Sequence, residues 1–174
     1  TRTDADGNFK AERVPREAAL LVKLPGFEKT YVAPTRGPVE VVLKPQAIKA
    51  AYLTYYGVGD RGIRGRVLDL AARTEINAVV IDVKGDRGWI LYQTEVPQAL
   101  AAGAKGPGTL KDFDGLMADL KARGIYTIAR IVTFKDHILA NARPDLAITH
   151  TRTGKPWIDN EKLAWVDPFQ EEVW

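Results

Sequence analysis

Two apolar runs that end in charged residues dominate the pattern of this chain: Ala78-Val79-Val80-Ile81-Asp82-Val83-Lys84-Gly85-Asp86, and Ile125-Tyr126-Thr127-Ile128-Ala129-Arg130-Ile131-Val132-Thr133-Phe134-Lys135-Asp136. A near-continuous apolar run suits a strand covered on both faces of a parallel sheet. Asp82, Lys84, Arg130, Lys135 and Asp136 are costly to bury unless they are paired or open to a cleft. They are therefore expected at the C-terminal ends of the strands, where parallel α/β sheets hold their ligands.

The segments between the runs carry a different period. Val67-Leu68-Asp69-Leu70-Ala71-Ala72, and Phe113 with Leu116, Met117 and Leu120, place apolar residues at helical spacing. Asp112 or Thr109 is expected to cap the second helix, and Gly124 stands where it turns into the next strand. An earlier strand is predicted over 48–56, Ile48 to Tyr56. From about residue 46 the order is thus strand, helix, strand, helix, strand, successive βα units of an α/β fold.

Residues 1–45 read differently. Asp4-Ala5-Asp6-Gly7-Asn8-Phe9 is a turn signal, followed by short alternating runs at Ala19–Lys23, Pro25–Phe27 and Val39–Leu43, a pattern typical of a β-sandwich. Oxygen-bearing side chains at positions 4, 6 and 8 also match the start of a calcium-binding loop. Such a loop needs Glu at its twelfth position, which here is Pro15, so the turn reading stands.

Composition narrows the function classes. Lys and Arg number 25 against 22 Asp and Glu, a net charge of +3 scattered without a basic block, which gives no case for nucleic acid. The absence of cysteine excludes disulfides, thiol catalysis and Cys-based zinc sites. His137 and His150 lack metal-binding spacing, and no glycine-rich nucleotide motif follows a predicted strand. No metal or cofactor is expected. No apolar stretch approaches the ~20 residues needed to span a bilayer. The chain begins at Thr1 and stops at Trp174 just as a helix should start, so it reads as a piece of a longer protein.

Two resemblances follow from these residues. Thr3–Phe9, Val14-Pro15, Leu24-Pro25-Gly26-Phe27 and Val41-Val42-Leu43-Lys44-Pro45 resemble the later strands of a carboxypeptidase-regulatory-like β-sandwich, which implies a partial accessory module over 1–45, usual on secreted or envelope proteins. Residues 46–174 closely resemble a glycosyl hydrolase TIM-barrel family. The motifs that carry this are Ala51–Thr54, Ile76–Lys84, Gly124–Tyr126 with Ala129–Asp136, Arg143-Pro144-Asp145, and Trp165-Val166-Asp167-Pro168. The resemblance implies the N-terminal half of a (β/α)8 barrel and a glycoside hydrolase acting on a polysaccharide or cell-envelope glycan, outside the cell or in its envelope. The family's main carboxylate is expected beyond Trp174. A catalytically inactive carbohydrate-binding barrel is the alternative.

Glycoside hydrolysis uses two carboxyl groups flanking the scissile bond. Asp82 is the candidate catalytic carboxylate among the residues present, and a structural ion pair or a substrate contact remain open for it. Lys84, two residues along the same strand, is expected on the same side, where it would hold Asp82 ionised. Arg130 is expected to orient a carboxylate from a neighbouring strand. Asp136 is read chiefly as the cap of a short helix through His137–Ala140. The substrate-binding set is Tyr55, Lys84, Arg130, Lys135, Asp136, Trp157 and Asp167, with Trp157 as a sugar-stacking platform in the turn-rich segment Thr153–Asp159.

Overall fold

The computed structural model describes every residue except Thr1, Arg16, Pro34 and Arg36. The chain divides into two compact units, Thr1–Ile48 and Lys49–Trp174.

In the first unit Asp4 closes the expected turn, its carboxylate accepting from the backbone N–H of Asp6 (3.0 Å) and of Asn8 (2.8 Å). That is an Asx-type turn, and no metal-binding cluster occurs among the described residues. Strands β1 (Leu20–Val22) and β2 (Thr30–Val32) pair antiparallel, Leu21 opposite Tyr31. The predicted strand at Val39–Leu43 is not formed. Alternation alone does not make a strand without a neighbour to complete its ladder, and here Val42 is exposed. The ladder contacts fall just beyond it, where Phe27 bridges Pro45 and Gln46 N–H donates to the Gly26 carbonyl.

The second unit is built on a parallel three-stranded sheet ordered β3 (Ala50–Leu53), β4 (Ala78–Lys84), β5 (Tyr126–Ile131). The first strand is shorter than 48–56. Thr54 turns the chain by accepting from Gly57 N–H, so Tyr55 and Tyr56 open helix α1 (Tyr55–Gly59). Asp60 caps α2 (Arg61–Arg73) through Ile63 N–H. A short α3 (Pro97–Ala102) lies in the long connection after β4, where periodicity predicts nothing. Helix α4 (Phe113–Ala122) starts where Asp112 accepts from Gly115 N–H, and Gly124 leaves it with φ +68°. Asp136 caps α5 (His137–Ala142) by accepting from Leu139 N–H.

Register divides the sheet into two faces. Leu53, Val79 and Ile81 point to one side, where they pack with Leu68 of α2 and Leu116 and Leu120 of α4 in the main core. The even-numbered residues point to the other. Tyr52 pairs with Val80 and Val80 with Ile128, while Asp82 pairs with Arg130 one step further along. Beyond Asp82 the register slips, and Lys84 comes opposite Ile131.

Candidate functional site

Tyr52, Asp82 and Arg130 meet at the C-terminal ends of the three parallel strands. Asp82 is only 4% exposed. Its Oδ2 accepts from the Tyr52 hydroxyl at 2.5 Å and its Oδ1 from the Arg130 guanidinium at 2.6 Å. Both oxygens are thus engaged by charge-assisted or short bonds, which a buried carboxylate requires. Arg130 lies with its guanidinium carbon 5.9 Å from the Tyr52 ring centre, within cation–π range, and also approaches Asp86 at 3.5 Å.

The electrostatics follow the contacts. The hydrogen bond to Asp82 is the main cause that raises the Arg130 guanidinium further above its ordinary value. Burial, then the bond to Asp82, pushes the Tyr52 phenol up, so it keeps its proton at neutral pH.

These groups open into a cleft of about 400 Å³ whose walls include the aromatic residues Tyr52, Tyr55, Tyr56 and Trp89 beside Asp82 and Arg130. Tyr56 meets Tyr55 edge to face at 5.2 Å. Trp89 is held by its surroundings: a Cβ on Gly106 would lie 2.6 Å from it. Such a mixture of aromatic surface and a few fixed polar groups is the usual make-up of a small-molecule site. Asp86, Arg87 and Glu161 stand at the same cleft.

Lys84 does not hold Asp82. Its Nζ pairs with Asp136 Oδ2 at 2.5 Å and donates to the Val132 carbonyl at 2.9 Å. The register slip between Asp82 and Lys84 removes the two-residue repeat that would have put them side by side. Asp136, buried, serves both this pair and the α5 cap.

Lys135 belongs to a third cluster. It pairs with Glu161 and, at 3.2 Å, with Asp159, and lies over the Trp165 ring. Glu161 and Asp159 raise its pKa, the former more. Asp159 is the hub of the turn that presents Glu161. It accepts from Leu163 N–H, Glu161 N–H and the Trp165 indole, all at 2.9 Å. The backbone bond from Leu163 and the indole bond, together with Lys135, hold its carboxyl down at about 2. Lys162 completes the turn in the left-handed region, φ +63°, a conformation such a residue adopts only where its surroundings dictate it.

Trp157 does not line the cleft. It is 42% exposed on the hairpin in which Thr149 bridges Pro156, and its backbone N–H donates to the Ile148 carbonyl. Trp89 is the tryptophan that lines the cleft. Asp167 likewise lies apart, its Oδ1 accepting from Phe169 N–H. Tyr55 reaches the cleft from the core as the first residue of α1, not as part of a strand. Sequence alone singles out neither Tyr52 nor Glu161. Tyr52 is found only from register, because the pairing sets it on the same face as Asp82; Glu161 has no sequence signal.

Among solved structures, the crystal structure of a hypothetical protein from Ruminiclostridium thermocellum ATCC 27405 is similar, with 36% identity and a TM-score of 0.64 over 74% of this chain. The match spans 64% of that chain's length. No curated protein matches. The family model described as "Putative glycosyl hydrolase domain" matches residues 50–174, the whole of the sheet, its helices and the cleft. The chain belongs to that glycosyl hydrolase domain family.

Proposed function

We propose that this chain carries part of a glycoside hydrolase that acts on a polysaccharide or cell-envelope glycan, outside the cell or in its envelope. In this reading residues 46–174 form the first half of a (β/α)8 barrel, and residues 1–45 part of a carboxypeptidase-regulatory-like sandwich. The observation that carries it is the Tyr52–Asp82–Arg130 constellation at the C-terminal strand ends, opening into a cleft that four aromatic residues help to line. Barrel enzymes keep their chemistry at that end. Aromatic faces with nearby hydroxyl and guanidinium groups match the apolar faces and hydroxyl edges of a sugar.

Of the roles open to Asp82, the engagement of both its oxygens favours that of a positioning residue: a substrate atom reaches it only by displacing Tyr52 or Arg130. It fixes those two side chains, which are the groups presented to the cleft. With Asp82 so engaged, the reacting pair of carboxyl groups must come from other residues; Asp86 and Glu161 are the exposed carboxylates at the cleft.

The test is release of reducing ends from a panel of polysaccharides by the full-length protein. Hydrolysis that falls at least tenfold in Asp82→Asn supports the reading. Binding of a glycan in the cleft with no hydrolysis of any linkage would replace it with a carbohydrate-binding barrel.

A further inference from the structure

We propose that Tyr52 is a specificity-determining residue of the cleft, its phenolic oxygen accepting a hydrogen bond from a sugar hydroxyl while Arg130 donates to a neighbouring sugar oxygen. This rests on the carbohydrate reading above and deepens it.

Donors and acceptors are unevenly shared among the three side chains. A phenol has one proton and two lone pairs, a guanidinium only donors, and an ionised carboxylate only acceptors. Asp82 Oδ2 sits 2.5 Å from the Tyr52 oxygen, so the single phenolic proton is committed to the buried carboxylate. Arg130 Nη1 lies 3.5 Å from the same oxygen but is bonded at 2.6 Å to Asp82, so it makes only a weak claim on one lone pair. Tyr52 lines the cleft, so its other lone pair is open to a ligand there. Tyr52 is 50% exposed and the Arg130 side chain 43%, whereas Asp82 is closed off.

An unconstrained tyrosine can rotate its hydroxyl and offer either a donor or an acceptor. Here Asp82 removes the choice. The cleft therefore presents an acceptor and a donor side by side at fixed spacing, backed by the guanidinium lying over the Tyr52 ring. Two adjacent oxygens of a saccharide match it, one as a free hydroxyl and the other as hydroxyl or ring oxygen. A sugar whose hydroxyl at that position is methylated or acylated lacks the proton that Tyr52 needs. Selection then turns on a polar group left without its partner.

The experiment uses the full-length protein and methyl glycosides of glucose, galactose, mannose and N-acetylglucosamine, with affinity read by ligand-observed NMR. Each binder is followed by its single-position deoxy and O-methyl analogues, on wild type and on Tyr52→Phe. One deoxy analogue is expected to lose about tenfold in affinity on wild type, and Tyr52→Phe to lose about as much for the parent sugar. On Tyr52→Phe that same deoxygenation should cost nothing further, the signature of a direct pair. Equal loss on deoxygenation in wild type and Tyr52→Phe, or an unchanged affinity of Tyr52→Phe, overturns the role of Tyr52 and leaves the carbohydrate reading intact. No glycoside binding to wild type overturns both. Should Tyr52→Phe not fold, the wild-type analogue series decides the same question: tolerance of every deoxy and O-methyl change excludes an acceptor in contact with a hydroxyl.

Discussion

Lys84 Nζ lies 2.5 Å from Asp136 Oδ2, joining the end of β4 to the first turn after β5 although Asp82 is two residues away on the same strand. Both partners are largely buried, so removing one leaves a charge without compensation. Lys84→Met is expected to lower stability by about 3 kcal/mol or more, measured by urea denaturation. A loss within experimental error would mean that Asp136 is satisfied by the α5 cap alone.

Arg130→Ala leaves the buried Asp82 with Tyr52 as its remaining side-chain donor. The stability loss expected is about 2 kcal/mol, the range for orphaning one buried acceptor. Arg143→Ala, which breaks an exposed network with Asp145 and Glu172, should change the melting temperature much less. Equal effects for the two arginines would contradict a role for burial in this difference.

Two glycines should respond in opposite senses to alanine. Gly88 has φ +94° and a Cβ there would stand 2.0 Å from Asp136 Oδ1, the oxygen that caps α5, so Gly88→Ala forces both a strained backbone and a displaced carboxylate, costing about 2 kcal/mol or more. Gly65 sits inside α2 with nothing near its Cβ position. Gly65→Ala should therefore stabilise by about 0.5–1 kcal/mol. Thermal melts of both variants test the pair.

The pH dependence follows from Asp159. Its carboxyl titrates at about 2 in the folded chain against an ordinary value of 3.8. A folded-state value below the unfolded one contributes stability that is complete above about pH 4 and lost as pH falls towards 2. Asp159→Asn should start less stable at pH 7 and show a flatter decline across that window. Parallel acid-denaturation profiles for the two proteins would show that the turn bonds do not depend on the charge.

The strands and helices are legible where one residue class repeats at one period. The run from Ala78 reads as a strand, and Phe113, Leu116, Met117 and Leu120 as one helix face, without any knowledge of pairing. The helix starts at Asp112 and Asp136 are legible too, because a carboxylate that accepts from the third amide onward is a local event. What sequence misses depends on partners distant along the chain. Val39–Leu43 has the right alternation but pairs with no strand among the described residues, and the two-residue repeat that would give Lys84 to Asp82 is interrupted by the register slip. Trp157 has the right chemistry in a loop whose path only the hairpin bridges reveal. Tyr52 is hidden as an ordinary strand aromatic, since its importance lies in a carboxylate thirty residues away.

The slip in register after Asp82 has a consequence for how this site can change. By turning Lys84 aside it gives the cleft and its supporting loop separate ion pairs that share no partner. Free energies of substitution should then add: the combined Arg130→Ala and Lys84→Met protein is expected to lose the sum of the single losses within about 0.5 kcal/mol. Such independence lets the residues that meet a ligand be exchanged without reopening the scaffold beneath them. A coupling energy well above that margin would show the two pairs to be a single network.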